Sequence, residues 1–177
     1  MFLFLFSFEK ENLEELRRCA VRLLRAALKG DWVAAKAVLD ENPDFYRAHI
    51  TEEEATALHI AAAAGHTNFV KELSEGMERS DFVDLKTNYG YTALHSAAQS
   101  GNVRIAKHLF TINDALPLID DYSGDKPLNV AAYAGNTAMV SYLLSLTPLE
   151  SLTADKRIEL LECTSYNDMY GKHYMLL

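Results

Sequence analysis

One ten-residue pattern recurs along this chain at nearly constant spacing. The stretch from Thr56 to Gly65 (TALHIAAAAG) returns 36 residues later from Thr92 to Gly101 (TALHSAAQSG). It returns again 34 residues after that, from Lys126 to Gly135 (KPLNVAAYAG). On the N-terminal side, Leu23 to Gly30 fit the same register at an offset of 35. Behind each glycine follows a second helical pattern with matched apolar positions. These are Ala35, Val38 and Leu39, then Phe69, Val70 and Leu73, then Ile105, Ala106 and Leu109, then Met139, Val140 and Leu143. Self-similarity at this period means one small unit copied and stacked, because no single copy can bury its own apolar face.

The physics of one unit is readable. Thr56 and Thr92 are helix-capping residues, and the helix they open is rich in alanine, so a neighbour can approach closely. Gly65, Gly101 and Gly135 stand where a helix ends on a left-handed residue. A turn such as Asn88-Tyr89-Gly90-Tyr91 then leads into the next unit. Glu54 breaks this pattern, standing where Gly90 and Gly124 stand in the next two turns. A first turn of the same geometry would be strained by about 1 kcal/mol.

The pattern predicts an all-α chain, an α-solenoid of helix-turn-helix units joined by β-hairpin-like turns. Residues 1–20 form a tail and a capping helix starting near Glu11, with Leu13, Leu16 and Ala20 on the face that covers the first unit. Four repeats occupy 21–55, 56–91, 92–125 and 126–147. Residues 148–177 hold a linker and a truncated fifth copy, in which Leu160 to Asp168 align with Leu23 to Asp31 and Asn167 replaces Gly30. This copy reaches Leu177 inside its second helix, on Tyr174-Met175-Leu176-Leu177, which is not the polar outer face of a capping repeat. The reading is either a piece of a longer protein or an irregularly packed end.

Thr-Ala-Leu-His-x-Ala-Ala-x-x-Gly at a spacing of 33 to 36 resembles the ankyrin repeat. More narrowly, Leu24 to Trp32, Ile50 to Glu53, Pro117 to Ile119 and Leu160 to Tyr170 resemble the ankyrin array of plant proteins in which a so-called PGG domain with transmembrane helices follows. The resemblance covers roughly Leu23 to Tyr170 and leaves the PGG part out. It implies a protein-binding array on the cytosolic side of a membrane-attached stress or defence protein. The alternative is a regulatory part of a longer enzyme or channel whose working domain lies C-terminal to this chain.

Composition narrows the partners. Asp and Glu number 25 against 17 Lys and Arg, a net charge of −8, which argues against nucleic acid and against an anionic membrane surface. Cys19 and Cys163 alone give no disulfide framework, and a reducing, cytoplasmic compartment is the expectation. No apolar run approaches the length of a membrane span, so no membrane insertion by this chain is expected. Met1 to Phe8 is apolar but lacks the basic start and small-residue cleavage site of a signal peptide. It reads as a tail packing on the first helices, or as an incomplete gene start.

The search for chemistry yields no catalytic residue, no cofactor and no metal site. His59 and His95 sit three residues after a threonine and recur with the repeat, which marks them as architecture. His49, His66, His108 and His173 show no metal-ligand spacing, and the glycines stand one per repeat, unlike a phosphate loop. The acids at 52–54 and 120–121 lack the alternating oxygens of a calcium loop. What remains is a surface for a protein partner. By resemblance the partner meets the concave face, at the turn tips and variable inner-helix positions. Copied residue by residue, these include Arg25, Asn88, Tyr89, Gln99, Asp121, Tyr122 and Tyr133. Tyrosine offers large contact area at low entropy cost.

Overall fold

The computed structural model describes residues 2–166, with side chains from Leu13 to Ser165. It consists of helix pairs laid side by side. The inner row is α1 (Phe2–Lys29), α3 (Ala57–Ala63), α6 (Ala93–Ser100), α8 (Pro127–Tyr133) and α10 (Ala154–Tyr166). The outer row is α2 (Trp32–Glu41), α4 (Thr67–Ser74), α7 (Val103–Ile112) and α9 (Thr137–Leu144). Each helix packs on its neighbours in its own row, and each inner helix from α1 to α8 also on the outer helix that follows it. Among the described residues there is no strand. The result is an all-α solenoid.

The two rows divide the core between them. Ala57, Ala61, Ala62, Ala97, Ala98, Ala131 and Ala132 are all fully buried between inner helices, where only a methyl group fits. The large side chains sit behind them: Leu39, Phe69, Leu73, Ile105, Leu109, Met139 and Leu143, none more than 1% exposed. Trp32 meets Phe69 edge to face, with ring centroids 5.5 Å apart, tying the first outer helix to the second. Phe82, on the short helical turn α5 (Asp81–Asp84) that follows the second outer helix, is also buried.

The N-terminal region differs from expectation. The residue 20/21 boundary falls inside one continuous helix, because no glycine, proline or capping residue interrupts the run from Leu13 to Lys29. Leu13 and Leu16, expected to cover the first unit, are 50% and 41% exposed, and of the three only Ala20 packs on the core. The ten-residue α2 is the reason. It ends at Glu41, level with Arg22, which it pairs at 3.0 Å, so α1 upstream of Cys19 outruns its partner helix. For the apolar segment 1–8 and the end of the fifth copy, including Asn167 and Leu177, the side chains lie outside those described. Within the described part, α10 takes the inner-row place beside α8 and buries Leu160 completely.

Glu54 keeps the turn geometry of its glycine counterparts, with φ +59° against +83° at Gly90 and +77° at Gly124. A side chain in this region costs roughly 1–2 kcal/mol, and part of that gain returns as unfolded-state entropy when glycine is used. Because the Glu54 side chain is exposed, Glu54→Gly should raise stability by about 1 kcal/mol in urea titration. In the opposite sense, Ala98→Leu should lower it by roughly 1–3 kcal/mol, because the inner row has no room for three more carbons. An unchanged denaturation midpoint for Ala98→Leu would contradict the stacking.

Candidate partner-binding cleft

The site begins with how consecutive units are held. His59 Nε2 lies 2.9 Å from the Tyr91 carbonyl oxygen, and His95 Nε2 lies 3.2 Å from that of Asp125. A carbonyl only accepts, so Nε2 carries the proton and Nδ1 the lone pair. Nδ1 in turn receives the backbone N–H of the preceding threonine, Thr56 at 3.3 Å and Thr92 at 3.1 Å, with each hydroxyl 2.9 Å away. In the next unit Asn129 does the same work. Its Oδ1 accepts from the Lys126 N–H at 3.3 Å, and its Nδ2 donates to the Lys156 carbonyl in the first turn of α10 at 3.3 Å. Lys126 stands where threonine stood and has no acceptor. Its ammonium bonds Asp120 at 2.6 Å instead.

A second set of clamps closes the other end of the inner helices. Asn102 Nδ2 donates to the Gly65 carbonyl (3.0 Å) and Asn136 Nδ2 to those of Ala98 and Gln99 (3.1 and 2.9 Å), while His66 Nε2 meets the Leu28 carbonyl at 2.8 Å. The turns join as well. The Asn88 N–H donates to the Glu53 carbonyl at 2.9 Å, and the Tyr122 N–H to the Tyr89 carbonyl at 3.1 Å. Each pair of neighbouring turns is therefore held in register by one backbone bond.

This framework leaves a cleft of about 470 Å³ between the turn tips and the inner helices α3 and α6. Asn88, Tyr89, Gln99, Asp121 and Tyr122 all line it, so five of the seven residues nominated from sequence converge there. Its floor is Ile60 and Ala63. Tyr89 and Tyr122 are 61% and 72% exposed. The Tyr122 ring rests on the backbone of Gly90, where an added Cβ would come within 2.8 Å of Cδ1. Behind Tyr89 lies the ring of Tyr91, at a centroid distance of 6.4 Å, and His95 stacks on Tyr91 at 5.2 Å.

The other two nominated residues lie elsewhere. Arg25 is exposed on α1 in a separate groove with Arg22 and Lys29. Tyr133 is 44% exposed, and its hydroxyl is bound within the chain, 2.6 Å from Glu159 and 3.0 Å from Asp125, with Lys156 pairing both acids. Burial, then the bonds to the two carboxylates, push its phenol well above the usual range. Asp121 lines the cleft but is buried, its Oδ1 taken by the N–H groups of Ser123 and Asp125 at 2.8 Å each. Tyr91, which sequence reasoning passed over, supplies part of the wall; its place one residue after Gly90 was the available signal. Among the described residues, no three His, Cys, Asp or Glu side chains converge as metal ligands would, and no helix is long and apolar enough to cross a membrane.

Comparison with known proteins bears on this geometry. The family model for ankyrin repeats matches three copies over residues 23–116, just over half of the chain. A probable E3 ubiquitin-protein ligase of Oryza sativa subsp. japonica is 33% identical over 125 residues, covering 70% of this chain and 24% of the relative. An E3 ubiquitin-protein ligase of Arabidopsis thaliana is 34% identical over 125 residues with the same coverage. A mitochondrial liver-isoform glutaminase of Rattus norvegicus is 33% identical over 114 residues, 62% of this chain and 17% of the relative. The chain thus spans about a quarter of the length of the two ligases.

Burial holds the imidazoles of His59 and His95 down at about 4, against the opposite pull of their carbonyl partners. The unfolded chain, with ordinary values near 6.5, takes up these protons first. Stability from the two clamps is therefore complete above about pH 6.5 and is lost as pH falls toward 4, on the order of 3 kcal/mol for each histidine. Replacing both by asparagine, as at Asn129, should flatten the decline in urea midpoint between pH 7 and pH 4.5. An identical decline in the double variant would contradict this assignment.

Proposed function

The chain belongs to the ankyrin-repeat family, and we propose that it is a non-catalytic protein-binding array that receives its partner in the concave cleft. The observation that carries this reading is the convergence of Asn88, Tyr89, Gln99 and Tyr122 on one groove whose depth and register are set by the junction clamps. Two tyrosines more than half exposed beside an apolar floor are the kind of anchor that dominates interface energetics. In this reading the array selects a partner, and any chemistry done to that partner resides in other parts of a larger protein or assembly.

Two settings fit such an array. The first, implied by the resemblance in sequence, is the cytosolic side of a membrane-attached plant stress or defence protein. The relatives named as ubiquitin ligases favour a second setting, in which the array is the recognition part of a longer enzyme. In either one the array works in the cytoplasm and binds protein.

Tyr89→Ala with Tyr122→Ala should weaken binding of a partner isolated with the native chain by about 2 kcal/mol, close to thirtyfold in Kd. The helical signal should be unchanged. Tyr133 is left out of this test because its loss would break the contact with α10. Substituting Lys71 and Lys107, on outer helices α4 and α7, should have little effect on Kd by calorimetry. If the lysine variant loses the partner and the tyrosine variant keeps it, the array binds through its convex side.

A further inference from the structure

Resting on the concave-face reading, we infer that the cleft takes a cationic side chain, an arginine presented by the partner protein. The lining includes no lysine or arginine but holds three tyrosines, Tyr89, Tyr91 and Tyr122, and the carboxylate of Asp121. That carboxylate is fixed by two backbone N–H groups and buried, so it is a stationary negative charge in the wall. Its charge is felt at Tyr91, whose phenol is raised, by burial first and then by Asp121 and Asp125. The exposed acids Glu52, Glu53 and Glu54 on the adjoining turn add charge of the same sign.

Aromatic faces carry a negative quadrupole, so a cation gains where a neutral group would not. A guanidinium adds a second match, because it is flat enough to stack on a tyrosine and forks its donors. Asn88 and Gln99, exposed at the mouth, offer carbonyl oxygens to those donors. An aliphatic side chain would cover the same amides and leave them unpaired, which disfavours it. The rings are already in place. Tyr122 is seated on Gly90, and Tyr89 is backed by Tyr91 and His95. Binding therefore needs little reordering of the cleft.

The test uses the full 177-residue chain and three blocked peptides, acetyl-Gly-X-Gly-amide, with arginine, citrulline or leucine at the centre. Citrulline keeps the shape of arginine without its charge. Ring resonances of Tyr89 and Tyr122 are followed by NMR titration. The arginine peptide should move both signals saturably and bind roughly five- to thirtyfold more tightly than the citrulline peptide. Tyr122→Phe should retain most of this affinity, since the ring face remains, and Tyr122→Leu should remove it at unchanged melting temperature. Equal or tighter binding of citrulline or leucine overturns the inference. A preference for leucine would do so while leaving the concave-face reading intact, and no shift with any of the three peptides overturns it as well.

Discussion

Three side chains reach from one inner helix to a backbone carbonyl just before, or in the first turn of, the next inner helix: His59, His95 and Asn129. Everything else in the stack depends on the spacing they set. Each is neutral, each accepts from the backbone N–H that opens its own helix, and each donates across the junction. A buried polar group with all its partners stabilises and specifies, whereas a charged one would bring a large desolvation penalty. The alanines between the clamps allow this closeness. With larger side chains in the inner row, the bonds at 2.9 to 3.3 Å would open and the turns would lose register.

The clamps also build the surface. His95 bonds the Asp125 carbonyl and stacks beneath Tyr91, which backs Tyr89. One imidazole thus ties α6 to the turn that leads into α8 and supports the aromatic wall of the cleft. Gly90 serves twice in the same way: its φ of +83° closes the turn, and its missing Cβ makes room for the Tyr122 ring. Packing, turn chemistry and the candidate site are three aspects of a single junction.

Much of this was legible in the sequence, because a repeat writes its own register. The buried positions of the outer helices, the left-handed glycines, the strained Glu54 and the structural role of His59 and His95 all follow from comparing one copy with the next. Less was legible where the chain does not repeat. Nothing punctuates α1, so its continuity and the exposure of Leu13 and Leu16 depend on how short α2 is, a tertiary fact. Tyr133 occupies a variable position, and its partner Glu159 lies 26 residues away on α10, with no local signal to announce it. Asp121 was readable another way: an aspartate ahead of Ser123-Gly124-Asp125 is a turn former that bonds its own backbone. Asn102 and Asn136, which could be read as helix caps, were harder to see as links to the preceding unit.

The central claim is that clamped junctions make the turn tips a rigid, preformed surface. Amide hydrogen exchange at Asn88 and Tyr122 tests it most directly, because these N–H groups make the bonds between neighbouring turns, at 2.9 and 3.1 Å. If the claim holds, both amides exchange at least about a hundredfold more slowly than in an unstructured peptide, alongside the inner-helix amides. Exchange of both at the unstructured rate, while the inner helices stay protected, would show the turns moving independently and would contradict the account.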